Sequence, residues 1–385
     1  MQENNLRKLA KFSFWFGCVI SAILLPASCK NKSINTNTTN VSAKEIIQSA
    51  IEESNNKVTA EESAPLIIGG RQYRGQLGER VEVEKGSWRI PNDPVNCTVN
   101  DIDKLFIMTL WIDPEDPERR NSLENLELLY NLKELDIEGK NLDKVDFSPI
   151  SSLLNLEELE IEGNITRLPD MKKLERLKTV VIKKGSLESL EGLGGDSIER
   201  ISIHTYETDN STLRINDTNN MLELRRFGFE GGKINLHGID RFTSLEVLSF
   251  RDCEPFNLEG IGYLINLKIL DINITSPTPS IEFISNLKNL EHVELFGNGH
   301  LYNYRFPFEY TTELLECEAT QILDVSPLAV LLKPSSIICR NFIIKNVSAL
   351  DALDLDSPID LMGSRLYDKT EKSKHHLVFK LEGDR

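Results

Sequence analysis

The sequence predicts an α/β solenoid, in which short coils stack and each adds one strand to a single curved parallel sheet. Three observations carry that expectation. Three apolar residues, separated by two positions and then by one, recur along most of the chain; a turn holding Asn or Gly follows several copies; and an Asn-Leu pair heads four of them.

The clearest copies are Ile107/Leu110/Ile112, Leu132/Leu135/Ile137, Leu156/Leu159/Ile161, Leu177/Val180/Ile182, Ile198/Ile201/Ile203, Leu224/Phe227/Phe229, Leu245/Leu248/Phe250, Leu267/Leu270/Ile272 and Leu290/Val293/Leu295. Weaker ones follow at Leu314/Cys317/Ala319, Pro334/Ile337/Cys339 and Asp356/Ile359/Leu361. A strand alternates its side chains, so each coil buries its apolar residues only when a neighbour stacks on it. Twelve coils at about 4.8 Å then give a sheet roughly 55 Å long on the concave face, with short helices, 3-10 turns or loops returning on the convex face. Leucines recurring by composition alone would not place Asn131-Leu132, Asn155-Leu156, Asn266-Leu267 and Asn289-Leu290 at the heads of strands, nor Glu162-Gly163-Asn164 and Phe296-Gly297-Asn298 at their ends.

On these residues the chain resembles the bacterial leucine-rich repeat family of the internalin type, whose repeats run to about 22 residues. Residues 147–164 follow that family's consensus, and Val325-Ser326-Pro327-Leu328 and Val347-Ser348-Ala349-Leu350 echo its mid-repeat segment. The resemblance covers residues 105–362 and implies a binding protein. Its Asn ladder departs from the family: Asn164 and Asn298 stand at the turn position, but Lys140, Gly185, Gly232 and Cys253 replace it elsewhere.

The flanks carry an address. Arg7, Lys8 and Lys11 precede an apolar stretch from Phe12 to Leu25. At about 14 residues it is shorter than a bilayer span, and it ends in Pro26-Ala27-Ser28-Cys29. This resembles a bacterial lipoprotein lipobox, with Leu25 one position earlier than in its strictest form. The resemblance implies a signal over 1–28 and acylation of Cys29, which would hold the protein on a membrane at about 0.8 kcal/mol per buried methylene. The expected location is the bacterial cell envelope at the outer membrane, either displayed on the cell surface as a binding protein or facing the periplasm as a scaffold, with an envelope enzyme or enzyme inhibitor as the remaining alternative. Residues 29–65 read as a flexible tether, with a short helix near 43–54 opened by the capping box Ser42-Ala43-Lys44-Glu45. Residues 66–104 read as an N-terminal cap, 105–362 as the repeats, and 363–385 as a C-terminal cap or tail in which Leu377, Phe379 and Leu381 alternate like a closing strand.

Composition excludes several classes. With 40% hydrophobic and 7% aromatic residues the chain is neither disordered nor collagen-like, and 44 Lys and Arg against 60 Asp and Glu argue against a nucleic-acid partner. Of six cysteines, the lipobox resemblance implies that Cys18 would leave with the signal and Cys29 would be modified. Cys97, Cys253, Cys317 and Cys339 are too sparse for a disulfide framework. Cys317 and Cys339, placed in adjacent coils, could bridge or simply fill the core as small apolar residues. No hydrolase, zinc, phosphate-loop or calcium-loop motif is present, so neither catalytic residues nor a metal or cofactor are expected.

The exposed strand positions are more informative. Lys133, Glu134, Asp136, Glu138, Glu157, Glu158, Glu160 and Glu162 make an acidic zone. Lys178, Lys183, Arg200, Arg225, Arg226 and Arg251 then outnumber Glu199, Glu230 and Glu246, and acid returns with Asp271, Glu291, Glu294, Glu316 and Glu318 around Lys268. This central basic band is a candidate docking strip for an acidic protein or glycan on a monomeric chain, with Trp111, Tyr206, His292 and Phe296 as anchors. The competing expectation is that these charges pair across coils and serve solubility alone.

Overall fold

The computed structural model describes residues 64–379, apart from 79–80, 85–86, 90–92, 206–210, 216–220, 277–278 and 298–318. The expected signal, Cys29, the expected tether and its helix, Tyr206, Asn298, Leu314, Glu316, Cys317, Glu318 and Leu381 lie outside the described residues.

Twelve parallel strands form one sheet in chain order: Ile107–Ile112, Glu134–Gly139, Glu158–Glu162, Thr179–Lys183, Arg200–His204, Arg226–Glu230, Val247–Arg251, Ile269–Ile274, His292–Gly297, Ser336–Arg340, Ile359–Asp360 and Leu377–Val378. Like positions stack on like. Leu135, Leu159, Val180, Ile201, Phe227, Leu248, Leu270, Val293 and Ile337 stand side by side, and all are at most 2% exposed. Each such side chain stabilises the stack by roughly 1.5–3 kcal/mol relative to exposure, which is why the leucine pattern dictates the fold. This is a leucine-rich repeat solenoid.

The return path is built of 3-10 turns, among them Leu126–Leu128, Ser148–Ser152, Ile239–Arg241, Leu258–Tyr263, Glu282–Asn286, Ser326–Val330 and Val347–Ala352. A short arc has room for little more than one turn, and each tucks in an apolar residue such as Ile150, Ile239, Ile284 or Leu350. Asn141, Asn257 and Asn346 open three such turns with φ of +52°, +60° and +62°, a conformation Asn tolerates better than most residues. Two smaller parallel ladders flank the arcs. One joins Thr212–Arg214, Lys233–Asn235 and Glu254–Phe256; the other joins Ile322–Asp324, Ile343–Lys345 and Arg365–Leu366.

The head-of-strand asparagines tie each coil to the one before. Their Nδ2 groups donate to backbone carbonyls: Asn131 to Asp103 at 3.1 Å, Asn155 to Tyr130 at 2.7 Å, Asn266 to Thr243 at 2.9 Å and Asn289 to Ile265 at 3.0 Å. Where the asparagine is missing, the Ser197 hydroxyl donates to the Leu177 carbonyl at 3.0 Å. At the turn position, Asn164 accepts from the Leu142 N–H at 3.0 Å and donates to Asp143 at 2.8 Å.

Two repeat assignments need correction. The first coil is framed by Leu105, Met108 and Leu110, because Met108 pairs with Leu135. The frame Ile107/Leu110/Ile112 is two residues late, a slip invited by the unbroken apolar run Leu105-Phe106-Ile107-Met108. A slip of two preserves the faces, so Trp111 remains on the open side, beside Glu138. The second correction concerns Leu314/Cys317/Ala319. The strand His292–Gly297 pairs directly with Ser336–Arg340, and Ser335 donates from its N–H and its hydroxyl to Glu291, 44 residues back. That step is two repeats long, and the sheet passes from one described strand directly to the other, while residues 314–318 lie outside the described residues. The twelfth strand is instead Leu377–Val378, beside Ile359–Asp360. Cys317, whose bridging to Cys339 the sequence leaves open, lies outside the described residues. Cys339 stands beside Leu295, and burial pushes its thiol up to about 12.

Among the described residues, no helix is long and apolar enough to cross a membrane.

Candidate functional site

One face of the sheet is buried, and the other presents four files of side chains that cross the strands. The first file lies just before the strands: Lys133, Glu157, Lys178, Glu199, Arg225, Glu246, Lys268 and Glu291. Each N–H after the first donates to the carbonyl of the preceding member. Signs alternate without a break. Arg225 Nη1 lies 3.1 Å and Lys268 Nζ 2.8 Å from the two oxygens of Glu246. The hydrogen bond from Lys268 holds the Glu246 carboxyl below its ordinary range. The file is a charge ladder that favours this coil register.

In the second file Arg200 stands directly opposite Arg226, between Thr179 and Val247. The third runs Asp136, Glu160, Val181, Ser202, Gly228, Ser249, Asp271 and Glu294. The fourth runs Trp111, Glu138, Glu162, Lys183, His204, Glu230 and Arg251.

Pairing thins the basic band. Lys183 meets Glu160, Arg225 meets Glu246, and Arg251 meets Asp271 with Glu294 at 3.7 Å. Among the described residues no carboxylate lies within ion-pair distance of Lys178, Arg200 or Arg226. Lys178 still sits in the alternating file between two glutamates, which leaves Arg200 and Arg226 as the uncompensated centre.

The aromatic anchors are not brought together. Trp111 is on the first strand, where Arg119 lies over its ring at 5.9 Å, whereas Phe296 is on the ninth; eight spacings of about 4.8 Å separate them by roughly 38 Å. His292 Nε2 lies 3.6 Å from Glu294.

Stacking also assembles a relay that the motif search did not find. Ser202 Oγ is 2.9 Å from His204 Nε2, and His204 Nδ1 is 2.8 Å from Glu230 Oε2. The carboxylate accepts from Nδ1–H, so Nε2 accepts from the serine hydroxyl. The order is that of nucleophile, base and orienting acid. Yet both edges of the strand Arg200–His204 are paired along its length, so its own amides are committed to the ladder and unavailable for an oxyanion. The signal was Ser-x-His on one strand with Glu230 26 residues beyond His204, legible only once the coils are aligned.

Two carboxylates are under stress. Asp136 is pushed up to about 6, first by burial and then by Glu160 and Glu138. Asp271 is 2% exposed; one oxygen accepts from Ser249 Oγ at 3.1 Å and from Arg251, while Oδ1 has no hydrogen-bond partner. Among the described residues no cluster of three His, Cys, Asp or Glu is arranged to hold a metal ion.

No family model and no curated protein matches the chain. Solved structures do resemble it. Internalin C2 of Listeria monocytogenes is 18% identical, with a TM-score of 0.41, over 53% of this chain and 85% of that one. Internalin F of the same species is 16% identical, with a TM-score of 0.38, over 72% and 86%. A leucine-rich repeat protein of Leptospira interrogans is 14% identical, with a TM-score of 0.38, over 63% of each.

Proposed function

We propose that this is a lipid-anchored protein of the bacterial cell envelope that binds a macromolecular partner through the open face of its sheet. The observation that carries the reading is the pair Arg200 and Arg226. Where Lys183, Arg225 and Arg251 each meet a carboxylate, these two arginines stand against each other with no carboxylate within ion-pair distance among the described residues. Like charges directly opposite cost stability, and a partner's negative charge would offset that cost. Solenoids of this class present an extended surface suited to docking, which supports binding over catalysis. Acylation of Cys29 would place that surface outside the cytoplasm, with display on the cell surface favoured over an inward-facing scaffold role.

Three experiments test the reading. Labelling with an alkynyl fatty acid should mark the chain, and Cys29→Ala should abolish the mark; an unlabelled wild type removes the anchor. For the surface, Arg200→Glu with Arg226→Glu should weaken capture of an identified partner while leaving the far-UV spectrum unchanged, and full binding by that variant removes the open face from the account. Protease treatment of intact cells should degrade the protein; protection until the outer membrane is opened would assign the scaffold role.

A further inference from the structure

We propose that the centre of the open face is a subsite for an acidic saccharide, taking a uronic-acid carboxylate between Arg200 and Arg226 and the sugar hydroxyls on the floor beside them. The inference rests on the open face being the docking surface and names the class of ligand.

The arginines are the first observation. They face each other across adjacent strands, both exposed, and bidentate capture of a planar carboxylate is what two such guanidiniums do best. The floor is the second. Ser202, Gly228 and Ser249 occupy neighbouring strands in one file, about 10 Å from end to end. Gly228 has no left-handed φ, and a Cβ there would meet nothing closer than the Ser202 Oγ at 3.6 Å. Neither backbone nor packing requires glycine. A glycine inside a strand weakens it, and one use of such a position is close approach by a ligand.

Asp271 is the third and independent observation. It follows Ser249 in the same file, is 2% exposed, and leaves Oδ1 without a donor although Ser249 and Arg251 serve its other oxygen. A buried acceptor with no partner is costly, and if the Arg251 side chain that contacts this carboxylate swings aside as a saccharide docks, a ligand hydroxyl would supply the missing donor. The charge pattern then separates two kinds of polyanion. Glu230, Asp271 and Glu294 lie along the floor and its edge, where they repel a run of peptide carboxylates but accept from sugar hydroxyls. A uronic-acid chain alternates one carboxylate with several hydroxyls, which matches one arginine pair beside several acceptors.

The test titrates the detergent-solubilised full chain with oligogalacturonate, against a neutral galactose oligomer, polyglutamate and dextran sulfate. Oligogalacturonate should bind, and Arg226→Gln and Gly228→Val should each weaken it by about tenfold or more. Gly228→Val should fold normally, since valine suits a strand, and its melting temperature should move by less than about 2 °C. Arg225→Gln, which alters only the charge ladder, should bind within about threefold of wild type. Displacement by polyglutamate, preference for dextran sulfate, or undiminished binding by Gly228→Val would each overturn the assignment. If oligogalacturonate fails while an identified protein partner still docks in a manner sensitive to Arg226, the saccharide subsite falls and the docking face stands.

Discussion

Asp136 offers the sharpest physical test of the open face. It lies between Thr109 and Glu160 on neighbouring strands, with Glu138 and Glu162 close by. Its Oδ1 is buried without a hydrogen-bond partner. Burial first, then Glu160 and Glu138, raise its pKa from 3.8 to about 6, against an opposing pull from Lys183. The folded chain therefore holds this proton more tightly than the unfolded chain does. Stability falls as pH rises through the window from 3.8 to about 6, and the full cost is present above it. A two-unit shift corresponds at face value to about 3 kcal/mol. The side chain is only half-buried, so solvent screening leaves a cost on the order of 1–2 kcal/mol. Asp136→Asn removes the charge with little change of shape. It should raise the urea midpoint at about pH 7.5 and leave it nearly unchanged at about pH 3, where the wild-type carboxyl is protonated in both the folded and the unfolded chain. An equal gain at both pH values, or a loss at neutral pH, would refute the reasoning, because the effect would then not come from this titration.

Three further outcomes follow from the packing. Asn155→Ala should cost about 1 kcal/mol in urea unfolding, more than Asn266→Ala, whose bond is exposed, and Asn155→Ser should recover part of the loss as Ser197 does in its own coil. Phe227, 1% exposed and edge-on to both Phe242 and Phe250, should cost about 3–5 kcal/mol as Phe227→Ala, measured by the same unfolding curve. A fluorophosphonate probe should leave Ser202 unmodified by mass spectrometry, because the relay through His204 to Glu230 lacks free amides on its own strand; labelling lost in His204→Gln would show a working nucleophile.

Much of the fold was legible because it depends on a local, periodic property. Leu132, Leu156, Leu267 and Leu290 each follow an asparagine, each is buried, and each asparagine bonds back to the previous coil. The candidate site was legible only in part. Lys183, Arg225 and Arg251 look as free as Arg200 and Arg226 when counted along the chain, and only stacking supplies Glu160, Glu246 and Asp271 as partners to the first three. The relay of Ser202, His204 and Glu230 and the glycine floor were equally hidden, since their members meet across coils.

By itself, then, the sequence determined the solenoid, the buried face and the coil length, because an apolar residue at every stacking position can be buried in no other way. Tertiary structure decided which strands are neighbours and which charges remain unpaired. The direct pairing of His292–Gly297 with Ser336–Arg340 shows the reason. Hydrogen-bonded adjacency belongs to a pair of strands, and an apolar triplet counted along the chain carries no information about which strand it will lie beside.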